Sequence, residues 1–308
     1  MKILTIIVTY NGMKWLDRCL GSLRSSSVPA DVLVVDNGST DGTPAYIQEN
    51  FPEVMLHCTG ENLGFGKANN IGLLKAVREG YDYAYLLNQD AWVFPETFSS
   101  LISAMKDAPE YGILSPMQLT ASMDKMDPRF VRWCPEVAWQ QWKSYVGESA
   151  SGESTSGEHD ILEVHPVPFV MAAHWMISRE CFTKVGGFSP AFPHYGEDDN
   201  YIHRAQYHGF MCGILSSAGA VHDREMRPMT KEASMRLKCV ASVVKVINPL
   251  NCFVCRCFLQ PLELLAISLR YRSMSVFRYL FKMIGSYGRL KAIRARSLSD
   301  SAFLESAE

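Results

Sequence analysis

The sequence predicts an α/β fold built on a mostly parallel sheet with helices on both faces. In the first hundred residues, short apolar runs alternate with amphipathic stretches, which is typical of strand–helix–strand units. Polar residues and glycines that can end a strand follow each apolar run. The chain has 308 residues, of which 47% are hydrophobic and 20% charged, so it can form a large core. This composition excludes a disordered or collagen-like chain.

Four apolar runs are predicted as strands, and three stretches between them as helices. The predicted strands are Ile3–Val8, Val32–Val35, Val54–Cys58 and Ala84–Leu87. The predicted helices are Lys14–Arg24, Thr43–Asn50 and Gly66–Glu79. Ligands of open α/β sheets bind outside the carboxyl ends of the strands. The residues expected to line that crevice are Thr9, Asn11, Asp36, Asn37, Glu61, Asn62, Asn88 and Asp90. A single residue of this kind usually only makes a turn, but four such strand ends together favour a ligand site.

The formal net charge of −2 hides two oppositely charged parts. Residues 224–296 contain fifteen basic and three acidic residues, whereas residues 1–223 contain fifteen basic and 26 acidic ones. We therefore predict a domain over residues 1–225 and a basic helical tail over residues 226–308. Residues 118–165 are expected to be an irregular insertion or lid, because 147–157 is a low-complexity segment of Gly, Ser and Glu.

The tail contains basic amphipathic stretches over Leu264–Tyr271 and Val276–Leu290. Such helices suit an anionic membrane surface, although no apolar run is long enough to span a bilayer. A helical subdomain packed on the first domain explains the pattern equally well. Nucleic acid is a weaker alternative, since no recognition motif accompanies the charge. For Cys252, Cys255 and Cys257, buried free thiols are favoured over a zinc site because a fourth ligand is missing nearby.

Three groups in the first domain can carry chemistry. Asp90 offers a hard oxygen ligand for Mg²⁺ or Mn²⁺, and His222 can add an imidazole. Glu197, Asp198 and Asp199 form a run of carboxylates, whose repulsion and burial can raise one pKa towards the value that a general base needs. The alternative for this run is a solvated acidic turn. A dinucleotide fingerprint is not matched, because the glycines near residue 64 follow the third predicted strand rather than the first.

Five motifs, taken in order, resemble the family 2 glycosyltransferases of the glycosyltransferase-A fold, and in particular the rhamnosyltransferase-like branch. They are Thr9-Tyr10-Asn11, Val35–Thr43, Asn62–Gly72, Leu87–Asp90 and the segment from Gly187 to Asp198. The resemblance covers about residues 3–225. It implies an inverting enzyme that transfers a sugar from a nucleotide-diphosphate donor, dTDP-rhamnose or a UDP-sugar, to a hydroxyl of a lipid-linked or polysaccharide acceptor.

The resemblance also implies roles for individual residues. The nucleotide side comprises Thr9, Tyr10, Asn11, Asp36, Asn62, Gly64, Lys67, Asn88 and Gln89. Asp90 and His222 are the expected ligands of Mg²⁺ or Mn²⁺, and Asp198 is the expected catalytic base. Trp175, Glu197 and Asp199 are expected on the acceptor or sugar side. Asn88 stands where the family carries the first acid of its metal motif, which leaves strict metal dependence open.

Two other functions remain open from the sequence. A nucleotide-sugar-binding protein without activity is indicated by Asn88, although Asp198 and His222 argue against it. A sugar-nucleotide pyrophosphorylase would need a basic, glycine-rich loop after the first strand, where this chain has Thr9–Gly12. We expect a cytoplasmic protein, peripheral on the inner face of the membrane, because Ile3–Val8 is too short for a signal-peptide core and nine cysteines cannot all pair.

Overall fold

The computed structural model describes residues 1–151, 163–224 and 230–304, with the backbone alone for residues 148–151. The strands of these ranges are β1 (Ile3–Thr9), β2 (Asp31–Asp36), β3 (Met55–Cys58), β4 (Tyr83–Asn88), β5 (Ala91–Val93), β6 (Tyr111–Leu119), β7 (Val164–Pro166), β8 (His174–Ser178) and β9 (Met211–His222). The helices are α1 (Leu16–Arg24), α2 (Thr43–Asn50), α3 (Phe65–Arg78), α4 (Thr97–Asp107), α5 (Glu136–Ser151), α6 (Arg179–Val185), α7 (Glu197–Tyr207), α8 (Lys231–Ile247), α9 (Phe253–Tyr271), α10 (Met274–Gly285) and α11 (Tyr287–Arg296). A single turn of 3₁₀ helix spans Phe130–Arg132.

The described strands form one sheet in the order β3-β2-β1-β4-β8-β6-β9-β5, with β7 paired to β9. β1, β2, β3 and β4 are mutually parallel, and β6 runs parallel to β9. β8 is antiparallel to both β4 and β6. All four predicted strands and all three predicted helices of the first ninety residues are confirmed, with ends that differ by at most two residues. Their carboxyl ends meet at one edge, as the alternating pattern predicted.

Helices cover both faces of the sheet, and this explains why β1 is an uninterrupted apolar run. Leu4 and Ile6 pack in the core on one face, together with residues of α3, while Ile3 and Ile7 pack on the other face with residues of α1. Successive side chains of a strand point to opposite faces, so both sets must be apolar. The arrangement holds the end of β1 rigidly at the crevice.

Residues 118–165 are more regular than the sequence analysis expected, because they contain the sixteen-residue helix α5. Ala138 and Trp142 lie four residues apart on one face of this helix and are buried in the main core. Trp142 stacks on Phe94 with a centroid separation of 6.2 Å. The low-complexity character of 147–157 hid a helix that continues through Ser151, and residues 152–157 lie outside the described part of the chain.

The four C-terminal helices have a core of their own, which also takes in Phe192 from the first domain. After α11 the chain returns to the first domain, where the Gly187 N–H donates to the Ala302 carbonyl at 2.7 Å and Leu304 joins the main core. The basic tail therefore packs on the sheet domain. None of the helices that the structure describes is long and apolar enough to cross a membrane.

The cysteines of the tail do not lie where the sequence analysis put them. Cys252 and Cys255 are exposed and Cys257 is partly exposed, so the expectation of buried thiols is wrong for the first two. The reason is their position around the first turn of α9, where Cys252 is the N-cap and its sulfur accepts the Cys255 N–H.

Candidate active site

The ends of β1 and β2 are joined by a buried hydrogen-bond network. The Thr9 hydroxyl donates to the Asp36 carboxylate at 2.9 Å, and both side chains are buried. The same carboxylate accepts the backbone N–H of Ser39 at 2.9 Å and its hydroxyl at 2.5 Å. Asp36 therefore organises the loop after β2, and the sequence-predicted pair of Thr9 and Asp36 lies together at the strand ends.

Gln89 joins the end of β4 to the end of β1. Its side-chain oxygen accepts the Tyr10 N–H at 2.9 Å, and its amide donates to the Tyr10 carbonyl at 3.3 Å. Gly12 lies directly beside it, because a Cβ there would be 2.5 Å from the Gln89 side-chain oxygen and would displace it. Asn11, with a φ of 51°, accepts the Thr40 N–H at 2.8 Å. The Tyr10 ring remains 49% exposed, which leaves an aromatic face at this edge of the sheet.

The loop before α3 is shaped by two asparagines and a glycine. The Asn62 oxygen accepts the Gly64 N–H at 2.9 Å, and the Asn37 oxygen accepts the Leu63 N–H at 3.1 Å. Gly64 has a φ of 81°, and a Cβ on it would lie 2.5 Å from the Pro193 carbonyl oxygen, so only glycine fits. This contact brings the start of α3 against residues 190–195, the loop that precedes α7. Lys67 is exposed in the first turn of α3.

Asp90 and His222 are brought together, as predicted for two metal ligands. The His222 Nε2 lies 3.4 Å from the Asp90 Oδ1 and 3.5 Å from the Asn88 side-chain nitrogen. β5 pairs with β9 so that Ala91 stands opposite His222, which fixes this approach. His222 is 2% exposed and Asp90 24%, so the carboxylate faces the crevice. The described residues contain no group of three or more His, Cys, Asp or Glu that could hold a metal ion by themselves.

Asp127 is a site residue that the sequence analysis missed. Its fully buried carboxylate lies 3.4 Å from the His222 Nδ1 and 3.1 Å from the Arg224 Nε, and it accepts the Arg129 N–H at 2.8 Å. The sequence signals only a local role, because Asp before Pro128 is typical of a turn that opens a helix. Its partners follow it by 95 and 97 residues.

Arg224, two residues beyond the end of β9, is held by Asp127. The segment is fixed further by Asp223, whose backbone N–H donates to the Asp90 carbonyl at 2.8 Å and whose carboxylate accepts the Trp15 indole N–H at 3.2 Å. The end of β9, which carries His222, is thus tied through Asp223 to the backbone of Asp90.

The charges of this cluster support one another. Burial by itself would raise the pKa of Asp127, but the hydrogen bond from His222 and the charge of Arg224 outweigh it and hold that pKa well below its usual range. Burial by itself would lower the pKa of His222, but its hydrogen bonds to Asp127 and Asp90 raise the pKa above the usual value. Asp127 therefore fixes the ring of His222 through Nδ1 and leaves Nε2 towards Asp90.

The run of acids begins α7. Gly196 is the N-cap with a φ of 84°, and the three carboxylates occupy the first helical turn. Burial, and then the charge of Asp199, raise the pKa of Asp198. Burial raises the pKa of Glu197 to about 7, and one of its buried oxygens has no hydrogen-bond partner. The pKa of Asp199 is raised by burial, against the charge of Arg132. These are partly buried acids with perturbed pKa values, not a solvated turn.

The acid run lies close to the first turn of α3, since a Cβ on Gly66 would be 3.9 Å from the Glu197 Cβ. Trp175, by contrast, was expected on the acceptor or sugar side and this expectation is wrong. It is fully buried in the core, its indole N–H donates to the Val170 carbonyl at 3.2 Å, and its ring stacks on Phe188. Trp175 lies on β8, in the middle of the sheet, where both faces are covered.

Comparison with known proteins identifies the family of this chain. The model of the glycosyl transferase family 2 matches residues 5–185, which is more than half of the chain. The N-acetylglucosaminyl-diphospho-decaprenol L-rhamnosyltransferase of Mycobacterium tuberculosis is 28% identical over 232 residues, which cover 71% of this chain and 75% of that protein.

Two solved structures have the same fold at low sequence identity. The crystal structure of S. aureus TarS 1-349 superimposes with a TM-score of 0.58 at 14% identity and covers 99% of this chain and 90% of that one. The mannosyltransferase PcManGT from Pyrobaculum calidifontis, in complex with GDP-Man and Mn²⁺, gives a TM-score of 0.51 at 16% identity and covers 96% and 87%. The fold is the glycosyltransferase-A fold expected from the motifs. The chain belongs to glycosyl transferase family 2.

Proposed function

We propose that this glycosyltransferase is an inverting enzyme that uses a nucleotide-diphosphate sugar and acts on a lipid-linked acceptor. The observation that carries the proposal is the separation of two acidic groups. Asp90 is paired with His222 at the strand ends, whereas Asp198 stands with raised pKa at the start of α7. Asp90 can help to hold a cation that neutralises an anionic leaving group, and Asp198 can accept a proton.

In the proposed reaction, Asp198 accepts the proton of the acceptor hydroxyl as its oxygen attacks the anomeric carbon. The bond from that carbon to the acceptor oxygen forms while the bond to the diphosphate oxygen breaks, which inverts the anomeric centre in one step. The raised pKa of Asp198 brings it closer to the operating pH and makes it a stronger base than a solvated Asp. Tyr10, Asn11 and the buried pair of Thr9 and Asp36 would hold the nucleoside at the strand ends.

The donor set fits a divalent cation whose coordination the substrate completes. Asp90 supplies a carboxylate and His222 supplies an imidazole nitrogen whose ring is fixed by Asp127, the arrangement expected of a histidine ligand. Mg²⁺ and Mn²⁺ commonly use one or two protein carboxylates together with substrate phosphates. A bound Mg²⁺ or Mn²⁺ would neutralise the negative charge that develops on the leaving diphosphate.

The acceptor class follows from the relative that acts, by its name, on a diphospho-decaprenol carrier. An acceptor of this class is a sugar on a polyprenyl diphosphate. The same name supports a rhamnose donor. The first donor to test is therefore dTDP-rhamnose, which the family resemblance implies, with UDP-sugars as the alternative.

The test is a panel of nucleotide sugars with and without Mn²⁺, scored for binding and for slow hydrolysis of the donor. We expect Asp198→Asn to abolish transfer and spare donor binding, and Asp90→Ala to weaken both. Asp107→Asn, on the exposed end of α4, is the matched control and should change neither. Indifference to every donor would contradict the proposed function, and near-normal turnover of Asp198→Asn would contradict the role of the base.

We also propose that the tail rests on an anionic membrane surface. Val254, Phe258, Leu262 and Leu269 share one face of α9 and are 62–72% exposed, whereas Gln260 lies buried on the opposite face. This helix therefore turns an apolar face to solvent. Exposed basic residues lie at the end of α9 and on α10; they are Arg270, Arg272, Arg278 and Lys282. An exposed apolar face together with exposed basic residues suits the headgroup region of an anionic bilayer.

Co-sedimentation with vesicles of anionic phospholipid tests this contact. The double variant Phe258→Ser/Leu262→Ser should reduce vesicle binding by roughly 100-fold, because two large apolar side chains are lost. Val131→Ser/Val137→Ser removes two smaller apolar side chains that are about half exposed in the first domain, and it should leave binding unchanged. Equal binding of both double variants would overturn the proposal, as would a dimer in solution that only the first double variant dissociates.

A further inference from the structure

A cavity of about 730 Å³ lies between the C-terminal helices and the first domain. Its walls come from α8, α10 and α11, from the loop 190–195 and from the start of α3. It is distinct from the strand-end crevice, because none of the polar residues at the ends of β1, β2 and β4 lines it. The volume is in the range of pockets that hold a small ligand.

The cavity has an apolar floor and a basic rim. Phe192, Met235, Val243 and Leu290 line it and are buried to 8% exposure or less. The basic lining residues Lys67, Arg236, Lys282 and Arg289 are exposed, and Glu232 is the acid among the lining residues. Within the part of the chain that the structure describes, none of these four cations forms a hydrogen bond or ion pair. The walls therefore match a ligand with an apolar chain and an anionic head.

The geometry points to this cavity as the site for the isoprenoid diphosphate portion of the acceptor, with the first isoprene units on the apolar floor and the diphosphate at the basic rim. The inference rests on the proposed function, since a polyprenyl-diphosphate acceptor is part of it. It adds the location of the carrier, which the strand-end site leaves open.

The position of the cavity suits this role. The loop 190–195 lines it and leads directly through Gly196 into Asp198. Next to that loop, Leu63 and Lys67 also line the cavity, and they belong to the loop and helix that border the proposed donor site. A diphosphate at the rim would therefore place the sugar attached to it near both the base and the donor. Arg and Lys side chains are suited to such phosphate groups.

Calorimetric titration of the whole chain with farnesyl diphosphate, below its micelle concentration and without donor, tests the inference. We expect binding to the wild-type protein, and at least about tenfold weaker binding of both inorganic pyrophosphate and farnesol, because each probe keeps one half of the ligand. The double variant Lys282→Gln/Arg289→Gln should weaken farnesyl diphosphate binding by at least about tenfold. Arg278→Gln/Lys291→Gln, on the same two helices but outside the lining, is the matched control.

A second variant, Val243→Phe, fills the floor without changing charge, and its melting temperature shows whether it folds. It should weaken the binding of farnesyl diphosphate and leave the binding of pyrophosphate unchanged. Equal binding of pyrophosphate and farnesyl diphosphate, or equal loss in the two charge variants, would overturn the inference. Donor binding is measured on the same proteins. If the wild-type protein does not bind farnesyl diphosphate but binds the donor and transfers its sugar, only the role of the cavity is refuted. If the wild-type protein neither binds nor hydrolyses any donor, the proposed function is refuted.

Discussion

Replacing Asp127 by Asn is a direct probe of the cluster around His222. Asn keeps the volume and can still accept the backbone N–H groups that Asp127 accepts, but it loses the negative charge that faces His222 and Arg224. Two effects should follow. The protein should be destabilised, and the ring of His222 should no longer be held with Nε2 towards Asp90.

The magnitude follows from the burial of the partners. Breaking a buried ion pair by removing one partner costs about 3–5 kcal/mol. Because Arg224 is 22% exposed, water recovers part of that cost, and we expect a loss of about 2–3 kcal/mol in the free energy of unfolding. For a chain of 308 residues, that loss lowers the melting temperature by roughly 3–5 °C. Loss of the partner that orients a histidine ligand should weaken Mn²⁺ binding by about 10–100-fold.

The assay combines melting curves with Mn²⁺ titration in the presence of UDP. The control is Asp124→Asn in the same loop, where the ion pair with Lys125 is exposed, and this change should cost less than about 0.5 kcal/mol and leave Mn²⁺ binding unchanged. If Asp127→Asn melted within about 1 °C of the control, the energetic reasoning would be refuted. A lower melting temperature with wild-type Mn²⁺ affinity would show that Asp127 only stabilises the fold.

Three further predictions concern the rest of the site. Asp198 must be ionised to act as a base, so its raised pKa should place the acidic limb of the pH profile of kcat above the ordinary Asp range. Glu197→Gln removes a neighbouring negative charge and should therefore move that limb to lower pH. Gly64→Ala should cost about 2–4 kcal/mol because its Cβ meets a backbone carbonyl, whereas Gly60→Ala, also at positive φ but facing open space, should cost about 1 kcal/mol in chemical denaturation. Asn88→Asp should tighten Mn²⁺ binding roughly tenfold by titration, since it adds a carboxylate beside the candidate metal pair.

The first ninety residues could be predicted because every signal in them is local. The apolar run of β1 and the glycine before Thr43 in α2 each mark an element without knowledge of the rest of the chain. The strand-end rule then places Asp36 and Asp90 at one edge, whatever the details of packing. The pairing of Asp90 with His222 could be proposed from their ligand chemistry and from the family motif, but no local signal shows it, since it depends on the antiparallel register of β5 and β9.

Asp127 and Trp175 show why the rest could not be predicted. An Asp before Pro carries a turn signal of its own, and nothing nearby distinguishes a cap from a residue that also holds a distant histidine. Trp175 lies between a histidine and a methionine in an apolar run, which fits a ligand platform as well as a core strand. Only its place between β4 and β6, which depends on how the sheet is ordered, decides that it is buried.

The helices of the tail expose apolar side chains that counting charges in the sequence could not reveal. The apolar residues of a helix normally face the core, yet α9 packs Leu264 inward and turns Phe258 and Leu262 outward. On α10, by contrast, the residues Tyr279 and Met283 face the cavity while Phe281 is exposed, so this one helix borders both proposed lipid contacts. The two proposals nevertheless concern different ligands: vesicle binding needs an extended anionic surface, whereas farnesyl diphosphate is a single soluble ligand. A variant that loses one and keeps the other would therefore separate docking of the enzyme on a membrane from recognition of the lipid that it modifies.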